Sequence, residues 1–218
     1  GAFLLQETLP VKARTQSSTI QTIFGLRKVA KNPNFSSLLL VGALIAAPFM
    51  AYLALASYIY IDGFGVSETT FSMYFALNAG ASISGPVMYM RFGAGSVKKV
   101  ISAGIMVAII SAILILTIGN ASPIIFLLSY VLYSIMTSYF RPLISDLLLS
   151  STKTDVGAAS SVMNFGFTVI GSIGMVVGSL QWSSYTGGLA ITMLIFISLT
   201  TTVWFYLLKA KSIRFDWK

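Results

Sequence analysis

FSSLLLVGALIAAPFMAYLALASYIYI, residues 35–61, holds no charged side chain and exceeds the ~20 residues that cross a ~30 Å hydrocarbon core as a helix. Five further long apolar runs follow at 69–90, 97–119, 123–149, 156–180 and 184–208. With these as spans, the basic residues sort to one side. The segments at alternate ends hold Lys12, Arg14, Arg27, Lys28 and Lys31, then Arg91, Lys98 and Lys99, then Arg141 and Lys153, then Lys209, Lys211, Arg214 and Lys218. The opposite connections carry only Asp62 and Glu68. By the positive-inside rule both termini are cytoplasmic, and an even number of crossings returns the chain to the side it left. The expectation is an all-α, multi-pass protein of a cell membrane, of the bacterial inner-membrane kind.

Composition points the same way. The chain is 56% hydrophobic and 9% charged, with a mean hydropathy of +0.86, so as an isolated soluble monomer it would expose far too much apolar surface. Its net charge of +8 lies in short juxtamembrane segments, where it sets orientation and meets the anionic headgroups of the bilayer. No nucleic-acid partner is implied. With no Cys and no His there is no thiolate nucleophile, imidazole base or disulfide framework. Paired carboxylates and a buried Lys are missing from the spans, so no catalytic residue, metal ligand or cofactor is assigned and an enzyme is not expected.

Ahead of the first span, Gly1 to Leu5 followed by Gln6-Glu7-Thr8-Leu9-Pro10 has the look of the cytoplasmic end of a helix. A polar linker follows. Ile20, Ile23, Phe24, Leu26 and Val29 then fall at helical spacing opposite basic residues, which predicts a short helix on the inner surface. Asn32-Pro33-Asn34 ends it, because the residue before a proline is pushed out of the helical region.

Several of these stretches resemble a known family. Glu7-Thr8-Leu9-Pro10 matches the Glu-Thr-Leu signature after the sixth helix of many major facilitator superfamily transporters. Phe49-Met50-Ala51-Tyr52, Ser57-Tyr58-Ile59, Phe64-Gly65-Val66-Ser67 and the run Phe71 to Ala79 look like helices seven and eight of its bicyclomycin and chloramphenicol resistance (Bcr/CflA) branch. The run Gly157 to Phe165 is similar to the start of that branch's eleventh helix. The resemblance covers nearly the whole chain but only the C-terminal half of such a transporter. It implies two inverted three-helix repeats, with 1–34 as the end of a preceding helix plus linker, 35–208 as a six-helix half-bundle and 209–218 as a cytoplasmic tail. It also implies proton-coupled efflux of drug-like or small amphipathic compounds by alternating access, with an N-terminal half as partner. A transporter of another solute, such as a sugar or metabolite, and a homo-oligomeric pore or scaffold built on the Gly171 to Gly178 face stand as alternatives.

Within the spans the ionisable residues away from the ends are Arg141 and Asp146. Arg141 lies ~7 Å from the midpoint of its helix at 1.5 Å per residue, near enough to reach a central cavity, and Asp146 lies close to the inner interface. The two could instead pair with each other. Asn78 and Asn164 are mid-span amides, which in hydrocarbon need a partner or a wet cavity. Tyr52, Tyr133 and Met136 complete the candidate cavity lining by their depth, among the aromatic and thioether groups that suit bulky apolar solutes. The loop from Gly85 to Lys99 resembles a degenerate copy of the superfamily's cytoplasmic gating motif, with Arg91, Lys98 and Lys99 present and Met90 where an acid would stand. Asp146 is then the acid expected to serve that loop. Gly166, Gly171, Gly174 and Gly178 predict close helix packing. Pro48 and Pro142 predict kinks, and Trp182, Trp204 and Trp217 suit interfacial anchoring. The first, second, fourth and fifth spans should face the partner half, and the third and sixth should lie outside.

Overall fold

The computed structural model describes residues 19–93, 95–151 and 156–209. The Glu-Thr-Leu stretch, Lys12, Arg14, Lys153, Lys211, Arg214, Trp217 and Lys218 lie outside these residues. All regular structure among the described residues is helical. A short helix α1, Thr19–Ala30, comes first, as its apolar spacing predicted. Asn32 then caps α2, Pro33–Ser57, by accepting hydrogen bonds from the backbone N–H groups of Asn34 and Phe35 at 3.1 and 3.4 Å, and Pro33 occupies the first turn, where its missing N–H costs nothing. A π-helical turn, Tyr58–Gly63, extends α2 to the far end.

The second apolar run does not form one helix. It divides into α3, Glu68–Ser82, and α4, Ser84–Phe92. Pro86 has no N–H to offer the Ser82 carbonyl, and the serine hydroxyls of Ser82 and Ser84 bind backbone carbonyls of the turn before them, at 2.8 and 2.6 Å. The remaining helices are α5, Val97–Ile118, α6, Pro123–Ser150, α7, Val156–Gly178, and α8, Tyr185–Lys209. Five continuous segments are long and apolar enough to span, with α3 and α4 supplying the sixth crossing as a broken pair. Neither Pro48 nor Pro142 interrupts its helix.

The packing has a two-fold pattern that exchanges the first triplet with the second. Helix α2 packs on α7 as α6 packs on α3 and α4, and α2 meets α8 as α6 meets α5. The α2–α6 and α5–α8 contacts map onto themselves. In both equivalent interfaces a glycine lets two backbones touch. A methyl at Gly85 would lie 2.5 Å from the Ile135 carbonyl oxygen and 2.7 Å from the Tyr139 nitrogen, and one at Gly174 would collide with the Ala47 carbonyl. Gly171 and Gly178 abut Met50 and Ala51 of α2, so the glycine face on which a homo-oligomer was conceivable is filled by the chain's own helix. Trp204 is also displaced from its expected role: it is 1% exposed, with its indole N–H donated to the Ser102 hydroxyl at 3.2 Å.

Candidate functional site: a polar cleft between three helices

Helices α2, α6 and α7 enclose an open cleft of about 360 Å³. Small residues create it. Gly42 and Ala46 face it from α2, and the glycines of α7 hold that helix tightly to α2, while α6 and α7 barely meet. The gap between α6 and α7 is what remains.

Its lining is layered along the helix axes. At the level nearest the basic end, which bears Arg91, Lys98 and Lys99, lie Arg141 and Ile144 of α6 with Asn164 of α7. Thr137, Ser138, Phe167 and Thr168 follow, and Phe49, Met50, Ser172 and Met175 form the far end. Ser161, Asn164, Thr168 and Ser172 recur at helical spacing on one exposed stripe of α7. Three of these hydroxyls donate to carbonyls four residues earlier in their own helix, at 2.8–3.0 Å, which leaves their lone pairs turned outward.

Of the candidate cavity residues, Arg141 and Asn164 come together in the cleft and the other four do not line it. Asn78 is 3% exposed on α3, facing α6. The backbone carbonyl of Asn78 accepts from the Ser82 hydroxyl, which lies 2.6 Å from that of Ser134. Tyr52 is fully buried and stacks on Tyr130 with ring centroids 4.0 Å apart. Tyr133, also fully buried, donates its hydroxyl to the Ile45 carbonyl. Met136 turns to α5, where Gly104 makes room for its sulfur. The second span therefore contributes nothing to the cleft lining. Thr137, Ser138, Thr168, Ser172, Met50 and Met175 were not singled out as candidates by their types. The signal that finds the α7 members is the recurrence of polar residues every three or four positions within an apolar run.

Arg141 and Asp146 are not a pair. Five residues on a helix turn the side chain by about 140°, so Arg141 points to the cleft and Asp146 to α4. There Asp146 accepts a hydrogen bond from the Tyr89 hydroxyl at 2.9 Å. The Tyr89 ring meets Tyr139 edge-on at 5.7 Å, and the Tyr139 hydroxyl donates to the Gly93 carbonyl at 2.6 Å. Gly93, at a φ of +66°, ends α4 in a conformation that disfavours side chains. Asp146 thus touches the Gly85–Lys99 segment at Tyr89 of α4. Arg91 and Lys99 are exposed. Among the described residues none hydrogen-bonds or ion-pairs with the Arg141 guanidinium. A charge at the centre of a membrane helix costs about 2.5–3.5 kcal/mol on insertion scales, which makes an unpaired one within a span a candidate functional residue.

Over 176 residues, 79% of its length, the chain is 28% identical to a Bacillus subtilis (strain 168) protein named as an uncharacterized major facilitator superfamily (MFS)-type transporter, YdgK. The likeness supports membership of that superfamily. The chain spans less than half of this relative, 44% of its length. No family model and no solved structure matches it.

Proposed function

We propose that this chain is one half of a secondary active transporter of the cell membrane, working by alternating access on a small amphipathic solute. The observation that carries this reading is the cleft, in which a guanidinium, an amide and a row of hydroxyls face one opening between α6 and α7. A second six-helix half closes that opening, and the two halves rock about the solute held between them. Both termini lie on the cytoplasmic side, following the basic residues of the connections. The resemblance to the bicyclomycin and chloramphenicol resistance branch favours outward movement of drug-like compounds driven by protons. Among the described residues no Asp or Glu lines the cleft, so on this reading the proton carrier belongs to the other half. Transport, not catalysis, is the work of the site.

The test is flux by the full-length protein in proteoliposomes. A labelled amphipathic solute should accumulate against its gradient when a pH difference is imposed, and a protonophore should abolish the accumulation. Passive ion conductance with no solute movement would instead indicate a pore.

A further inference from the structure

We infer that the solute is an organic anion, a carboxylate carried on an apolar body, with its head at Arg141 and Asn164 and its body lying along α7 toward Met175. The inference rests on the cleft being the transport site and adds the charge and orientation of what enters it.

Three observations on the lining converge. Arg141 is its only ionisable side chain, and the guanidinium has no partner among the described residues. A guanidinium offers a planar fork of N–H donors that matches a carboxylate, and it accepts nothing. The acid nearest in sequence, Asp146, does not compensate it, because it faces α4 and is held by Tyr89. Second, the charge and the amide lie together at the basic end, beside Ile144, and the far end is Phe49, Met50 and Met175 with the Ser172 hydroxyl. From Asn164 to Met175 is a rise of about 16 Å, which leaves room for a single-ring compound with a short acid chain. Third, on α7 the hydroxyls of Thr168 and Ser172 have spent their hydrogens on their own helix, so they accept from a solute hydroxyl or amide, whereas the Thr137 hydroxyl on α6 has no partner among the described residues. A cationic solute would meet Arg141 with no carboxylate among the described lining residues to receive it.

Binding of 4-phenylbutyrate, 4-phenylbutyramide and 4-phenylbutylamine to the purified full-length protein tests this, since the three share one body and differ in head charge. Calorimetric titration should rank the carboxylate at least tenfold tighter than the amide, with the amine weakest. Arg141→Gln should bring the carboxylate down to the level of the amide, a loss of about tenfold or more, and leave the amide unchanged. Arg141→Lys should retain part of the preference, because it keeps the charge and loses the fork. Equal binding of carboxylate and amide by the parent overturns the inference, and that ranking needs no variant to fold. So does an Arg141→Gln loss shared equally by all three heads, which would make Arg141 the partner of a carboxylate in the other half. If the amide or amine is the preferred head and Asn164→Ala weakens it, the cleft remains the transport site and only the anion assignment falls. If none of the three binds and no gradient-driven flux is found, the transport reading falls with it.

Discussion

The two interfaces related by the internal two-fold begin alike and end differently. In each, a glycine on the second crossing of one triplet lies against the backbone of the first helix of the other, Gly174 on α2 and Gly85 on α6. Between α2, α3 and α6 the space is filled. Tyr52, Tyr60, Phe71, Tyr74, Phe75, Phe126 and Tyr130 form a continuous ring cluster with centroids 4.0–6.5 Å apart, spanning α2, its terminal π-helical turn, α3 and α6. Between α2, α6 and α7 the lining mixes Gly42, Ala46 and hydroxyl side chains with Phe49, Phe140 and Phe167, and a cleft is left open. The lesson is that two interfaces with the same pattern of helix contacts become a core or a cleft according to the side chains placed between them.

The largest effect is expected where the two sides agree. Gly85→Val and Gly174→Val each drive a side chain into backbone that has no room to yield, so both should abolish the monodisperse peak of the detergent-purified protein on size exclusion. Gly80 has nothing within 4 Å of a would-be methyl, so Gly80→Ala should keep the peak and gain up to about 1 kcal/mol from helix propensity. A normal peak for Gly174→Val alone would mean the α2–α7 contact is looser than its counterpart.

Truncation should then separate the sides. Tyr130→Ala hollows the filled cluster and is expected to cost about 3–5 kcal/mol, read as a lower thermal unfolding midpoint. Phe167→Ala, at the cleft, should lower the midpoint far less while weakening solute binding, because that side is already open. Equal midpoints for the two variants would remove the distinction drawn here.

A subtler comparison lies within the cluster. The hydroxyl oxygens of Tyr52, Tyr60 and Tyr130 are buried without a partner among the described residues, and a buried unsatisfied group costs about 1–3 kcal/mol. Tyr60→Phe should therefore leave the unfolding midpoint unchanged or raise it. A drop of several degrees would reveal a buried water or a partner from outside the chain. The smallest effect is expected at the α4–α6 link. Tyr89→Phe and Asp146→Ala remove one exposed hydrogen bond, each costing about 0.5–1.5 kcal/mol. A double-mutant cycle should find the two losses non-additive, and strict additivity would show that the bond contributes nothing.

Much of the fold was legible along the chain, since length and apolarity decide which segments leave water, and the described helix ends fall within a few residues of the apolar runs. The break between Ser82 and Ser84 was hidden, because a hydropathy window averages over a local loss of one backbone bond. The cleft was half legible. Arg141 and Asn164 stand out as polar groups in apolar runs, and both face it. Asn78 stands out equally and does not, because a buried amide and a cavity amide look the same along a sequence.

What the residues determined by themselves was the number of crossings and the sorting of charge to one end, both consequences of transfer between water and hydrocarbon, a property of each segment alone. Only the tertiary structure decided which face of each helix is core, lipid surface or cleft. Lipid is as apolar as a protein interior, so hydropathy does not distinguish Tyr52 sealed among rings from Phe49 at an opening. That choice depends on where glycines let helices meet and where small side chains keep a third helix from closing the gap.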